Sequence, residues 1–172
     1  MTSTATRYSK LMLIFHWATA ALVLLAYLTS EGGASVRTDP PTTHIVLGLA
    51  VLFLTLPRLL LRYLRGVPRA PESAAPRIVR VAGIGHGLIY CLLLAVPVAG
   101  WFTMSRLGLN IKLFGWQLPL LVPSVQGDPG IIANLHQLGG NLMLILAGLH
   151  AGIALWHYFW LRDGILQRMS PF

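Results

Sequence analysis

Residues 133–160 read ANLHQLGGNLMLILAGLHAGIALWHYFW and contain no Asp, Glu, Lys or Arg. A helix of about 20 apolar residues crosses the roughly 30 Å hydrocarbon core of a bilayer. Three more apolar stretches of suitable length lie at about 11–30, 43–63 and 83–104. Only 10% of the residues are charged and 55% are hydrophobic, whereas about a quarter of an average soluble domain is charged. The sequence therefore predicts an all-α, integral membrane four-helix bundle, with residues 1–172 forming a single domain.

Lys and Arg residues are distributed unevenly between the two ends of the predicted helices. Of the 13 Lys and Arg residues, all except Arg37, Arg106 and Lys112 lie near the N-terminus, around the connection between helices two and three, or near the C-terminus. Short loops rich in Lys and Arg stay on the cytoplasmic side of a membrane. We therefore expect both termini to be cytoplasmic. The net charge of +8 therefore mainly reflects the orientation of the chain in the membrane. Because the sequence predicts no soluble basic module, this charge does not indicate nucleic-acid binding.

All six histidines lie in the predicted helices, whereas all five acidic residues lie in connections or at helix ends. An ionisable residue inside a membrane span is costly and marks a functional site by default. Transporters and proton pumps usually place carboxylates inside the membrane, so this pattern disfavours a non-redox channel or transporter. The histidines are His16, His44, His86, His136, His150 and His157.

The spacing of the histidines predicts two pairs at different depths. His136 and His150 are 14 residues apart, which places them near one helix face and about 21 Å apart along the axis. His44 matches the outer level of His136, and His16 matches the inner level of His150, although His86 is an alternative partner for His16. Two imidazoles on opposite sides of a planar ring suit haem iron, whereas zinc favours four clustered ligands. We therefore expect two haem irons to be bound by axial ligands other than His86. These ligands are His16, His44, His136 and His150.

Glycines lie one helical turn from the candidate ligands. Gly48 and Gly140 each follow a candidate ligand by four residues, and Gly148 and Gly152 flank another. Such residues leave bare backbone against which a macrocycle can lie, although small residues also pack transmembrane helices together. The sequence leaves two roles for the remaining histidine, His157. It is either an interfacial polar anchor or a residue that lies beside a haem propionate or a quinone.

Several motifs together resemble the bacterial cytochrome b561 family, over nearly the whole chain. They are His16-Trp17, His44-x-x-x-Gly48, the stretch from Gly85-His86-Gly87 to Pro97 and Gly100-Trp101, and Gly148-Leu149-His150 leading to His157-Tyr158-Phe159 and Asp163. This family is related to the haem-bearing membrane subunits of hydrogenases and formate dehydrogenases. There, helices one and two give one haem ligand each and helix four gives two. The matching positions in this chain are His16, His44, His136 and His150.

The resemblance implies a multi-pass protein of the bacterial inner membrane that carries two haem b and transfers electrons. Some similar members oxidise superoxide at the periplasmic face and reduce ubiquinone, so we favour a quinone-linked oxidoreductase that needs no protein partner. Its partners would be the lipid bilayer, superoxide and ubiquinone. No catalytic residue is assigned. Arg37, Arg106 and Lys112 are candidates for steering an anion to the outer haem. The alternative interpretation is that these three residues simply form a solvated face. The alternative is a membrane cytochrome b subunit that passes electrons between quinone and a partner dehydrogenase or hydrogenase.

Overall fold

The computed structural model describes residues 8–30, 41–66, 68, 75–113, 115–125 and 129–169. Within them lie four long helices: α1 (Lys10–Leu28), α2 (Thr42–Arg65), α3 (Pro76–Arg106) and α4 (Ile131–Trp156). Each helix is long and apolar enough to cross a membrane. Helix α1 packs along α2 and α3 along α4, while contacts between α2 and α3 join the two pairs. The predicted all-α membrane four-helix bundle is confirmed.

Helix α3 begins earlier than the sequence prediction of about residue 83. Its first residue is Pro76, and proline is favoured there because its fixed φ suits a helix and its missing N–H is not needed in the first turn. The first turns carry Arg77 and Arg80 and are exposed. A prediction based on runs of apolar residues misses such turns, so the predicted start of this helix, at about residue 83, was too late.

Helix α4 changes its winding near the predicted cytoplasmic surface. It continues into a π-helical turn over His157–Leu161, and the next residue, Arg162, has a φ of 50°. The Arg162 N–H donates to the carbonyl of His157 at 2.7 Å, which ends the turn. The chain then folds back, so that Asp163 lies against the His157 ring, and a short 3-10 turn follows at Leu166–Arg168.

The connection between α3 and α4 is fastened to the C-terminal end of α3, the end predicted to be the outer one. It contains a small antiparallel hairpin, β1 (Lys112–Leu113) and β2 (Trp116–Gln117). The indole Nε1 of Trp101 donates to the carbonyl of Pro119 at 3.1 Å, and the buried hydroxyl of Ser105 accepts from the N–H of Leu121 at 3.1 Å. These bonds hold the connection over one end of the bundle.

An apolar layer crosses the middle of the bundle. All four helices contribute to it, and its buried members are Val23, Val51, Leu93, Val96 and Met143. The layer separates the two depths at which the sequence predicts histidine pairs.

Candidate functional site

The outer histidine pair joins α2 to α4. The rings of His44 and His136 have centroids 5.8 Å apart and planes at 83° to each other. The Nδ1 of His44 is 2.7 Å from the carbonyl oxygen of Ala26, and the Nδ1 of His136 is 2.8 Å from that of Val96. Because a carbonyl oxygen can only accept, both Nδ1 atoms carry the proton and donate. Each Nε2 then has a bare lone pair, the form in which imidazole binds a metal.

At the inner level, three histidines come together. The ring of His150 has its centroid 6.3 Å from that of His16 and 5.0 Å from that of His86. The spacing between His16 and His150 is close to that of the outer pair, so these two residues would hold a second haem, which supplies a one-electron carrier when bound. The ring of His86 lies closer to that of His150 than either of these spacings.

The inner level is a complete layer of the bundle. It lies seven residues from the central apolar layer on every helix, which corresponds to about 10 Å of helix axis. One polar side chain from each helix occupies it: His16, Arg58, His86 and His150. Three of these four were considered from the sequence, and Arg58 was not.

Two cavities flank the outer histidine pair. One, of about 420 Å³, lies towards Tyr27 and Gly140, and the other, of about 160 Å³, lies towards Trp101. Both are bordered by His44 and His136. Because both cavities are lined by these two histidines, they would give a planar macrocycle held by His44 and His136 room on two sides.

The predicted bare backbone lies along these cavities. Gly48 borders both of them and Gly140 borders the larger one. A Cβ built on either residue has no atom within 4 Å. These two glycines are therefore not required for close helix packing, which was the alternative interpretation of the pattern.

Gly100 has a different role, which the sequence did not reveal. A Cβ on Gly100 would lie 2.8 Å from Cε1 and 3.1 Å from Nδ1 of His136, well inside the ordinary carbon contact distance of about 3.5–4.0 Å. Only glycine lets the His136 ring stand against α3 and reach the Val96 carbonyl. The Gly100-Trp101 dipeptide was noted only as part of a family motif.

Arg58 is the main site residue that sequence reasoning missed. Its side chain is only 9% exposed, its Nη2 donates to Nδ1 of His16 at 2.8 Å, and its guanidinium carbon lies 5.1 Å from the ring centroid of Tyr90. From the sequence, Arg58 was identified only as a basic residue near a helix end. Its position 14 residues after His44, the spacing that separates His136 from His150, was a signal that could have revealed it.

The remaining predicted residues belong to neither pair. His157 contacts Asp163 through Nδ1 and Oδ2 at 2.5 Å, which fits the anchoring interpretation of this histidine. Burial acts to raise the pKa of Asp163, but its hydrogen bonds with His157 and with the N–H of Ile165 outweigh burial and hold that pKa below its ordinary value. Of the anion-steering candidates, Arg106 ends α3 and the exposed Lys112 begins β1. Arg37 lies outside the described residues.

Comparison with known proteins agrees with this architecture. The model of the family described as prokaryotic cytochrome b561 matches residues 7–172. A probable superoxide oxidase CybB of Yersinia pestis is 31% identical over 169 residues, covering 96% of each chain. Cytochrome b562 of Cereibacter sphaeroides is 33% identical over 172 residues, covering 94% of each chain, and cytochrome b561 homolog 1 of Escherichia coli is 27% identical over 171 residues, covering 96% of this chain and 97% of the relative. The chain therefore belongs to the prokaryotic cytochrome b561 family of haem-binding membrane electron-transfer proteins.

Proposed function

We propose that this protein holds two haem b groups and transfers electrons between the two sides of the bacterial inner membrane. The outer haem would lie between His44 and His136, and the inner haem between His16 and His150. The observation that carries the proposal is one geometry repeated at two depths, with ring centroids 5.8 and 6.3 Å apart. When bound, each haem supplies a one-electron carrier whose potential depends on its ligands and their surroundings.

The chain's own residues prepare these sites. The carbonyls of Ala26 and Val96 hold the outer imidazoles with Nδ1 protonated, so that Nε2 is ready to bind iron. Between the two levels, the buried side chains of Val23, Val51 and Met143 fill the middle of the bundle. This layer opposes the passage of water and ions, while electrons can move from one level to the other.

We propose superoxide as the electron donor at the periplasmic face and ubiquinone as the acceptor. The support is the 31% identity to a relative named as a probable superoxide oxidase. In this reaction two superoxide anions each lose one electron and leave as dioxygen. One ubiquinone takes up those two electrons and two protons and becomes ubiquinol. Arg37, Arg106 and Lys112 would attract the anion towards the outer level.

The proposal includes an orientation with both termini in the cytoplasm. It rests on the concentration of Lys and Arg near the termini and the α2–α3 connection. Reporter enzymes active on only one side of the membrane, fused to each terminus, should both report the cytoplasm. Periplasmic signals from both fusions would contradict the orientation and would reverse the assignment of the outer haem, whereas signals from opposite sides would contradict an even number of spans.

The direct test is to expose the purified protein to a pulse of superoxide and follow the haem absorbance. We expect reduction of the haems and then of a ubiquinone analogue, with no other protein present. The rate should fall as salt is raised, because salt screens the attraction between charges. Neutralising Arg37, Arg106 and Lys112 together should lower the rate at low salt and leave the spectrum unchanged. Neutralising the exposed Arg65 and Arg77 at the opposite face is the matched control and should have little effect.

Two results would contradict the proposal. A haem reduction rate no faster than spontaneous dismutation allows would exclude superoxide as the donor. The favoured function would then be a subunit that exchanges electrons between quinone and a partner dehydrogenase, and such a partner should co-purify with the protein. A rate that responds neither to salt nor to the triple substitution would remove the steering role.

A further inference from the structure

Arg58 is a cation buried in a membrane-spanning helix. It is 9% exposed, and its Nε is buried with no hydrogen-bond partner in the described part of the chain. A charge inside a span is costly unless it is paired. None of the five acidic residues lies within α1, α2, α3 or α4. The helices therefore offer Arg58 no carboxylate, and an anionic partner for it would have to come from outside them.

The position of Arg58 matches the depth of the inner haem site. It follows His44 by 14 residues on α2, as His150 follows His136 on α4, so both helices descend about 21 Å between the two levels. Its contact with His16 fixes the same level independently. Arg58 thus faces the interior of the bundle, beside one of the two proposed ligands of the inner iron.

The contact between Arg58 and His16 cannot coexist with iron binding through Nε2. A guanidinium has only donors, so Nδ1 of His16 must accept, and in a neutral ring the proton is then on Nε2. Iron needs that Nε2 bare, which moves the proton to Nδ1 and sets two donors against each other. When His16 binds iron, Arg58 must therefore turn to another acceptor within its reach.

We infer that this acceptor is a propionate carboxylate of the inner haem, and that Arg58 is the residue that binds it. This inference rests on the proposed function, because it requires a haem between His16 and His150. Arginine pairs with carboxylates through two parallel hydrogen bonds, and Arg58 has an unused Nε beside its terminal nitrogens. Tyr90 lies beside the guanidinium, with its ring centroid 5.1 Å from the guanidinium carbon and its side chain hydrogen-bonded to Arg58, so Nε and the nitrogen released by His16 are the donors that would bind the carboxylate.

Such a pair has an electrostatic consequence for the inner haem. A nearby positive charge favours the reduced form of the iron, and it also neutralises the propionate that would otherwise oppose reduction. Arg58 should therefore raise the midpoint potential of the inner haem and leave that of the outer haem unchanged.

The test is a potentiometric titration of the purified protein, its Arg58→Gln and Arg58→Lys variants, and a matched control, Arg62→Gln. Arg62 lies one turn further along α2 and also stacks over Tyr90, at 5.5 Å. We expect Arg58→Gln to shift one of the two haem components to lower potential, Arg58→Lys to shift it less, and Arg62→Gln to shift neither. The titration is then repeated with the dimethyl ester of the haem, which has no carboxylates for Arg58 to bind. With this ester, the potentials of the unsubstituted protein and of the Arg58→Gln variant should differ much less.

The outcomes separate the two proposals. Arg58→Gln potentials equal to those of Arg62→Gln, or a shift that persists undiminished with the dimethyl ester, would overturn the role of Arg58. If Arg58→Gln loses the inner haem, retention of that haem by Arg58→Lys supports the charge pairing, and equal loss from both variants contradicts it. Absence of haem from the unsubstituted protein would instead refute the proposed function.

Discussion

Gly100 gives the sharpest structural prediction for the outer site. In Gly100→Ala, the new Cβ would lie 2.8 Å from Cε1 of His136, and it must reach about 3.5–4.0 Å, so the ring moves by roughly 1 Å. Such a movement would stretch the 2.8 Å bond between Nδ1 of His136 and the Val96 carbonyl beyond hydrogen-bonding distance. The substitution therefore displaces a proposed iron ligand and also removes the bond that orients it.

The expected loss can be estimated from these two effects. Overpacking costs about 1–3 kcal/mol, and a lost hydrogen bond costs about 0.5–1.5 kcal/mol. Since every 1.4 kcal/mol is a factor of ten, an overpacking cost carried by the haem-bound state alone would weaken haem binding at the outer site about 5- to 150-fold. The helix itself should not suffer, because alanine favours a helix by about 1 kcal/mol over glycine.

The assay is the haem-to-protein ratio after purification, together with the rate of haem loss to an excess of a haem-scavenging globin. Gly87→Ala is the matched control, because Gly87 is also in α3 and its added Cβ meets nothing within 4 Å. We expect Gly100→Ala to lose one haem rapidly and keep the other, while Gly87→Ala keeps both. Two haems retained in Gly100→Ala, with loss rates equal to the control, would refute the role of Gly100 and His136 at the outer site.

Substitutions at four histidines and at Asp163 test other parts of the structure. His44→Ala or His136→Ala should each remove only the outer haem, and equal loss of both haems from a folded protein would contradict independent pairs. His86→Ala and His157→Ala should keep two haems per chain, whereas loss of the inner haem from His86→Ala would contradict the inner pairing. Because the pKa of Asp163 is lowered in the folded protein, its ionised form stabilises the fold above the unfolded pKa, and this stabilisation is lost as pH falls through the lowered value. Asp163→Asn should abolish that pH dependence in thermal unfolding, with an effect below about 1 kcal/mol because the pair is exposed.

The sequence predicts the helices and the depth of the histidines well, because both depend on local periodicity. Apolar runs indicate the four spans, and a rise of about 1.5 Å per residue converts the spacing of His136 and His150 into two levels. The structure brings the predicted partners, His44 and His16, within ring contact of these residues. Their role as iron ligands remains a prediction.

Features that depend on contacts between helices are not visible in the sequence in the same way. Arg58 lies near a basic helix end, so its charge was attributed to topology, and only packing shows that its side chain is buried against His16. The requirement for Gly100 comes from a ring on α4, a different helix. The π-helical turn at His157–Leu161 also has no periodic signal, since the apolar run continues through it.

We propose that two histidine pairs hold two haems at different depths. A reduced-minus-oxidised visible spectrum of the purified protein, with haem and protein measured in the same sample, tests this directly. We expect b-type bands and two haems per chain. A single haem per chain, or a protein that folds in the membrane without haem, would contradict it.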